Sequence, residues 1–393
     1  MSARDPAGTQ DAALRFVFAA ARHRLTVTHA AQLCDAAAEV SDWAAAVAAA
    51  ESHRVVPFVA RNITAHAQTV VPGHAQQAFA GAAAAVAARA LQATAELARL
   101  MRAFGDAGLP VLPYKGPALA VAAYGDPGSR ASADLDLVVH SRDYAAVRRV
   151  LLEAGYRSSH GLSDAQERTL YSAFGHAPFV RARAPAAPFV EIHWRFAGPR
   201  FRWNPVLDAI LTRAEPLVLG GVQMPGCAAD DHLLLALLHG TRHLWCDLEW
   251  VVAVDALLAR PGVNVGTILA RATDVGGRRA ALVGLAVAHE VLGTPLPDAV
   301  AAMMQGDRRV AGLAATATRM LNGSAGPAAG SNAFARAFHL ACLDSARDRA
   351  RYVLAAALLP SPRELEVVRL PSALTPLYYP IRLARLLTRT RAT

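Results

Sequence analysis

Strand-like sequence occupies one stretch of this 393-residue chain, and alanine-rich helical sequence lies on both sides of it. Residues 11 to about 105 place Leu, Val and Arg at helical spacing among alanines, and the helical pattern returns from about Asp230 onward. Between them, short apolar runs are bounded by Gly and Pro. This distribution predicts an α+β fold. A small mixed-sheet core at 106–200 is flanked by a helical region at 1–105 and by a second one, with a basic tail, at 201–393.

The composition indicates a folded protein that tolerates anionic partners. Hydrophobic residues make up 54% of the chain and charged residues 18%, a balance typical of sequences that bury a core. The formal net charge of +9 suits partners such as nucleotides or acidic lipids. The arginines are scattered, with no basic block interleaved with aromatic residues, which disfavours nucleic acid as a partner.

Cysteine usage and the amino-terminal sequence favour a cytoplasmic location. The four cysteines lie far apart and form no CxxC pair, which argues against a structural zinc module and a disulfide framework. An early acidic residue and an apolar run broken by Arg15 are unlike a secretory signal peptide. The weakly apolar stretch at 70–88 is too polar to span a bilayer. The basic segment at 378–393 leaves two alternatives, a weak contact with an anionic membrane surface or a solvated helix end.

Turn residues divide the central stretch into predicted elements. The sequence GLPVLPY predicts a short strand, and Pro117 and Gly125 bound the helix that follows it. The sequence DLDLVVH predicts a second strand. Ser141 is predicted to cap the next helix, which Gly155 ends. Two further strands are predicted in the sequences APFVRAR and PFVEIHW.

Acidic residues occur at period two on two of these strands. Asp134 and Asp136 would project from one face of their strand, and Leu135, Leu137 and Val139 would face the core. Adjacent carboxylates repel each other unless a cation lies between them, and oxygen ligands on a rigid strand suit Mg²⁺. Taken alone, this pair also fits a strand that begins in a polar loop.

A second strand strengthens the metal hypothesis. Glu191 and His193 share one face of it, so a third carboxylate could meet the first two. Three such carboxylates hold two metal ions in enzymes that displace phosphoryl groups in line. The alternatives are a solvated edge strand for Glu191 and a hydrogen-bonding neighbour, rather than a metal ligand, for His193.

Lys115 is the one lysine among 40 lysine and arginine residues. It lies between a predicted strand and a predicted helix, where backbone amides and the positive helix end favour phosphate. Gly116 would allow close approach of a ligand, and Lys115 would add a compact positive charge. Arg130 is the next candidate phosphate contact. The alternative for both side chains is a solvated surface position.

The segment 230–260 is predicted to be helical, and His232, His239 and His243 would share one of its faces. Cys246 follows three residues later. A zinc site is one interpretation, although HExxH spacing is missing. A helix packed against the core, with one or two histidines reaching a nucleotide cleft, is the favoured one.

In order, the motifs LPYKGPALA, SRASADLDLVV, LLEAGY and VEIHW resemble an uncharacterised bacterial nucleotidyltransferase family of the DNA-polymerase-β-like superfamily. The superfamily has a Gly-containing strand-to-helix turn, an Asp-x-Asp strand and a third acidic residue on a later strand. These would fall on Gly116, on Asp134 with Asp136, and on Glu191. The resemblance covers about 106–200. A Gly-Ser or Gly-Gly turn is common in the superfamily, so the grip on phosphate must differ here.

The resemblance implies a metal-dependent enzyme that moves a nucleoside monophosphate from an NTP, with ATP favoured, to an unidentified acceptor. Asp134, Asp136 and Glu191 would bind Mg²⁺, or Mn²⁺ as the alternative, and act in catalysis. Lys115, Gly116, Arg130 and His193 would bind the nucleotide. The acceptor could be a small molecule, a peptide or a protein. The alternatives are a non-catalytic nucleotide-binding or partner-binding module that retains the fold, and a helical scaffold with an incidental Asp-x-Asp.

Overall fold

The computed structural model describes residues 6–163, 166–167, 170, 173–181, 187–323 and 331–389. Its centre is a mixed sheet with the strand order β1-β2-β5-β4-β3, surrounded by helices, which confirms the α+β fold. The strands are β1 (Leu112–Pro113), β2 (Asp134–Val138), β3 (Tyr156–Ser158), β4 (His176–Arg181) and β5 (Phe189–His193).

The parallel pairing of β2 with β5 organises the sheet. These two strands are neighbours, and every other pairing in the sheet is antiparallel. Leu135 and Leu137 of β2 pack with Val190 and Ile192 of β5 in one buried cluster, as the alternation in both segments predicts. The opposite pleat therefore carries the acidic residues of both strands.

Helices precede and interrupt the sheet. They are α1 (Pro6–Ala20), α2 (Val27–Glu39), α3 (Trp43–Ser52), α4 (Val56–Asn62), which continues as a π-helical turn (Ile63–Ala67), α5 (Gly73–Asp106), α6 (Pro117–Tyr124) and α7 (Tyr144–Glu153).

The sequence after the sheet forms one hairpin and a series of helices. The hairpin pairs β6 (Glu215–Leu219) with β7 (Val222–Gly226) and was not predicted. The helices are α8 (Leu207–Thr212), α9 (Ala229–Arg242), α10 (Leu248–Leu258), α11 (Val265–Asp274), α12 (Arg278–Leu292), α13 (Asp298–Gly306), α14 (Val310–Leu321), α15 (Asn332–Cys342), α16 (Ala346–Leu358), α17 (Pro362–Val367) and α18 (Tyr378–Arg389).

The helices on the two sides of the sheet share a hydrophobic core. One buried cluster joins Phe16 and Phe58 of the first helices to Leu237, Val283 and other residues of the later ones. A second cluster lies between the sheet, α5 and α7. Among the described residues, no helix is both long and apolar enough to cross a membrane.

The structure confirms the predicted helix after Lys115 and corrects the next one. Helix α6 begins at Pro117 and is closed by Gly125, whose φ of 76° is left-handed. Ser141 was predicted to cap a helix, but it begins a short 3-10 turn, and α7 starts only at Tyr144. The predicted strand APFVRAR is β4 as far as Arg181; its last two residues lie outside the described ones.

The segment 230–260, predicted as a continuous helical pattern, is two helices. Helix α9 ends at Arg242, and Leu244 and Trp245 have positive φ angles of 58° and 55° before α10 begins. The Trp245 ring is fully buried, and a Cβ built on Gly240 would come within 2.6 Å of it. Burial of this indole beside a glycine therefore offsets the strain of the break.

Candidate active site

The register of β2 and β5 brings two of the predicted acidic residues together. Asp136 lies directly opposite Glu191 across the parallel pair, and Asp134 lies opposite Phe189. Asp136 is 3% exposed, whereas the Glu191 side chain is 29% exposed. The acidic pair therefore has one buried member and one that faces solvent.

His193 lies between these two carboxylates. Its Nε2 is 3.0 Å from Oδ1 of Asp136 and 3.2 Å from Oε2 of Glu191. Since both partners are hydrogen-bond acceptors, Nε2 must carry the proton. His176 of β4 pairs with His193 across the sheet, and the two imidazoles stack with centroids 5.1 Å apart.

Lys115 reaches the same carboxylate from the other side. The Tyr114 N–H donates to the Asp136 carbonyl at 3.2 Å, which places the next residue beside β2. The Lys115 Nζ then donates to Asp136 Oδ1 at 2.7 Å, with the lysine side chain 12% exposed. Because one oxygen of Asp136 receives both Lys115 and His193, a compact ammonium fits where a planar guanidinium would need more room.

The charges around the two aspartates act in opposite directions. Burial alone would raise the pKa of Asp136, but Lys115 and His193 outweigh it and hold that pKa well below the ordinary range. Burial and the charge of Asp136 raise the pKa of Asp134, because Lys115 only partly offsets them. Asp134 therefore lies in a region that a further cation would stabilise.

Burial and neighbouring charges also shift the pKa values of Glu191 and His176. Burial opposes ionisation of Glu191, but the hydrogen bond and charge of His193, together with His176, outweigh it and lower the pKa of Glu191. Burial and nearby His193 lower the pKa of His176 to about 4. At neutral pH the site therefore holds an ionised Glu191 beside an uncharged His176.

A hydroxyl from the loop before β2, which sequence patterns did not reveal, lies beside the turn at Gly116. Gly116 has φ 57°, and a Cβ on it would lie 3.2 Å from the Asp134 carbonyl and 3.6 Å from Ser132 Oγ. This glycine therefore lets the turn approach β2. Within the described residues, the buried Ser132 Oγ has no hydrogen-bond partner. Its position two residues before Asp134 was the available signal in the sequence.

Arg130 is buried rather than solvated. Its Nε donates to Glu249 Oε1 at 2.7 Å, and its Nη2 donates to Glu249 Oε2 at 3.3 Å. The two residues are 119 positions apart in the sequence. The guanidinium also lies 5.2 Å from the centre of the Trp250 ring. Arg130 thus ties the loop before β2 to α10, and its contact with phosphate stays a prediction. Glu249 could not be identified from the sequence, because no pattern near either residue shows that it pairs with Arg130.

The histidines of α9 lie at different depths. Buried His232 donates to the backbone of Tyr114, and burial lowers its pKa to about 4. The His239 and Trp250 rings are 4.4 Å apart. Burial first, and then the charge of Lys115, lower the pKa of His239. His239 thus lies within electrostatic reach of Lys115, and contact of this histidine with nucleotide stays a hypothesis.

The structure therefore brings most, but not all, of the predicted site residues close together. Asp136, Glu191 and His193 each offer one ligand atom, and these atoms lie within 4.8 Å of one another. Asp134 lies outside this compact group, so its role as a ligand stays a prediction. Carboxylate oxygens suit Mg²⁺ and Mn²⁺, whereas His193 Nε2, which donates to both carboxylates, would orient these ligands rather than bind the ion. The donor set thus fits a divalent cation.

A family model described as an uncharacterised nucleotidyltransferase matches residues 39–293, more than half of the chain. The chain belongs to this nucleotidyltransferase family. The match includes the site and extends beyond 106–200 into helices on both sides. No curated protein and no solved structure gives a significant match.

Proposed function

We propose that this nucleotidyltransferase family member transfers a nucleoside monophosphate from an NTP, with ATP as the favoured donor, to an acceptor hydroxyl. The observation that supports this most is the alignment of Asp136 with Glu191 across β2 and β5, beside the Lys115–Gly116 turn. The sheet core at 106–200 would carry the chemistry. The helical region at 201–393 would help to shape the acceptor pocket, and the region at 1–105 would support the sheet through α5.

Asp134, Asp136 and Glu191 would hold divalent cations, Mg²⁺ first and Mn²⁺ as the alternative. Such ions, when bound, neutralise triphosphate charge and acidify a hydroxyl. His193 orients the carboxylates of Asp136 and Glu191 by donating to both. Its proposed contact with the nucleotide would follow from this position between them.

The phosphates would dock at the turn between β1 and α6. Amides of the first turn of α6 and the Ser132 hydroxyl offer donors, and the positive end of the helix favours an anion. Lys115 would stabilise the charge that develops on pyrophosphate as it leaves.

The reaction balances without a further reagent. The acceptor oxygen forms a bond to the α-phosphorus, and the bond from that phosphorus to the bridging oxygen breaks. Pyrophosphate leaves with the electron pair. Glu191, ionised at neutral pH, would accept a hydrogen bond from the acceptor hydroxyl and assist removal of its proton. The four free cysteines fit action in a reducing cytoplasm.

Pyrophosphate release tests the proposal. Each of the four NTPs is incubated with protein, Mg²⁺ or Mn²⁺, and a small-molecule extract of the source cell. We expect metal-dependent release that Asp136→Asn and Glu191→Gln each reduce roughly a hundredfold or more. Asp106→Asn, an exposed change at the end of α5, is the matched control.

Two other results separate the alternatives. Metal-dependent ATP binding without release under any condition would favour a non-catalytic nucleotide-binding module. Release that Asp136→Asn leaves unchanged, in a correctly folded variant, would show that the acidic residues do not carry the reaction.

A further inference from the structure

A positively charged cavity opens beside the acidic residues, on the side away from Lys115. Its volume is about 310 Å³, within the range of small-molecule sites. His176 and His193 form the wall that faces the site. Arg195, Arg200 and Arg242 also line it, and its described lining residues include no Asp or Glu.

Among the residues that the structure describes, these three arginines have no carboxylate partner. Within the described part of the chain, no ion pair joins Arg195, Arg200 or Arg242 to an acidic residue. Burial first, and then the positive charge of Arg351, lower the pKa of Arg195. By contrast, the two buried arginines among the described residues, Arg130 and Arg382, each have a glutamate partner. Like charges gathered around a cavity repel each other unless an anion binds between them.

A hydrogen-bond chain fixes one side of the cavity. The His339 Nε2 lies 2.8 Å from the Arg242 carbonyl, which can only accept, so this nitrogen carries the proton. Burial lowers the pKa of His339 to about 4, so its Nδ1 accepts from the Tyr352 hydroxyl at 3.0 Å. The Tyr352 oxygen is then left to accept from Arg200. The chain positions Arg200 and the backbone of Arg242.

The strand order separates this cavity from the proposed phosphate turn. Lys115 follows β1, Asp136 lies on β2, Glu191 and His193 lie on β5, and His176 begins β4. Because β1-β2-β5-β4 is the order in space, the acidic residues lie between the turn and the cavity. A donor held at the turn and an acceptor held in the cavity would meet at the carboxylates.

We propose that this cavity binds the acceptor, and that the acceptor carries a phosphate group, which Arg195, Arg200 and Arg242 recognise while its hydroxyl faces Glu191. Guanidinium forks match phosphate oxygens in pairs, and three of them match a dianion better than a single carboxylate. This inference rests on the proposed function for its reaction, but anion binding by the cavity can be measured without turnover.

Glycerol 3-phosphate, glycerate and glycerol form a matched set of probes. Their binding to the full chain is followed by calorimetry at constant ionic strength, with and without a non-hydrolysable ATP analogue and Mg²⁺. We expect millimolar or tighter binding of glycerol 3-phosphate, weaker binding of glycerate and none of glycerol. Arg195→Gln and Arg242→Gln should each weaken phosphate binding roughly tenfold or more.

Four controls make the result specific. Arg89→Gln, an exposed change on α5, should leave the affinity unchanged, and Arg242→Lys should retain more affinity than Arg242→Gln. The unfolding free energy of each variant shows whether it is folded. The ATP analogue should bind the Arg195 and Arg242 variants within about twofold of wild type, because it occupies the other side.

Several results would overturn the proposal. They are absence of glycerol 3-phosphate binding, binding that the arginine variants do not weaken, tighter binding of glycerate than of the phosphate, and competition between the phosphate and the ATP analogue. Asp136→Asn separates the two proposals, since it should abolish pyrophosphate release and preserve phosphate binding. Phosphate binding without transfer would therefore contradict only the proposed function, and transfer without phosphate binding only the cavity.

Discussion

At the scale of single residues, the contact between Lys115 and Asp136 accounts for the one lysine in the chain. Asp136 is almost fully buried, and one of its oxygens receives both the ammonium and the His193 imidazole. A buried carboxylate costs several kcal/mol unless it is paired in this way. Lys115 therefore stabilises the fold of the site in addition to its proposed contact with phosphate, and the two roles can be separated.

A double-mutant cycle measures the structural role. We expect Lys115→Met to lower the unfolding free energy by roughly 3 kcal/mol, because it leaves Asp136 buried with one fewer partner. In the double variant with Asp136→Asn the total loss should be smaller than the sum of the single losses, with a coupling of about 1–3 kcal/mol. Urea unfolding at neutral pH gives all four values. Additive losses would mean that the 2.7 Å contact contributes nothing to stability.

At the scale of elements, short sequence patterns predicted the strand faces and helix ends that depend on neighbouring residues. The alternation in DLDLVV and FVEIH placed apolar side chains on one face, and proline and glycine marked the ends of α6. The start of α7 was missed because Ser141 caps only a 3-10 turn. The break before α10 was missed because it depends on Gly284, which lies far along the chain and leaves room for Trp245.

The turn between β1 and α6 gives a test of backbone conformation. Gly116→Ala should destabilise the protein by about 1–3 kcal/mol, because the positive φ strains alanine and its Cβ would press on the Asp134 carbonyl. It should also weaken binding of the ATP analogue. Gly105→Ala is the matched control, since nothing lies within 4 Å of its Cβ. That helical change should be neutral or stabilising by up to about 1 kcal/mol. Equal effects on stability would contradict the strained turn.

The break between α9 and α10 makes a separate prediction. Gly240→Ala should cost about 1–3 kcal/mol, because its Cβ would lie 2.6 Å from the buried Trp245 ring. Gly312→Ala in α14 has open space around its Cβ and should be neutral or slightly stabilising. Thermal unfolding and the near-ultraviolet circular dichroism of tryptophan compare them. An unchanged tryptophan signal in folded Gly240→Ala would show that the ring is not fixed by this glycine.

At the scale of the whole molecule, the site depends on contacts that no window of sequence contains. Asp136 and His193 are 57 residues apart, and the register of a parallel pair brings them together. Arg130 meets Glu249 only because the later helices pack on the sheet segment. The sequence supplied the acidic residues but not the arginine-lined cavity. One wall of that cavity includes Tyr352, beyond the family match that ends at 293.

The contacts between the last two helices, α17 and α18, make the carboxyl-terminal part of the protein sensitive to acid. Glu364 is fully buried and accepts from Ser361, Arg382 and Arg385, so it joins α17 to α18. Burial opposes its ionisation, but the bonds from Ser361 and the two arginines lower the pKa of Glu364 to about 2. The pKa of glutamate in an unfolded chain is about 4.3. The contribution of Glu364 is therefore complete above that pH and is lost as pH falls toward 2.

Comparison with Glu364→Gln isolates this contribution from that of other carboxylates. The variant should be less stable than wild type at pH 7, and the difference should shrink between pH 5 and pH 2, because wild-type Glu364 is then protonated as well. The exposed Glu153→Gln serves as the control for loss of a surface carboxylate. Urea unfolding across this range gives the differences, and limited proteolysis at neutral pH should cleave Glu364→Gln faster near 359–378. A difference that stays constant from pH 5 to pH 2 would mean that Glu364 does not hold the last helices in place.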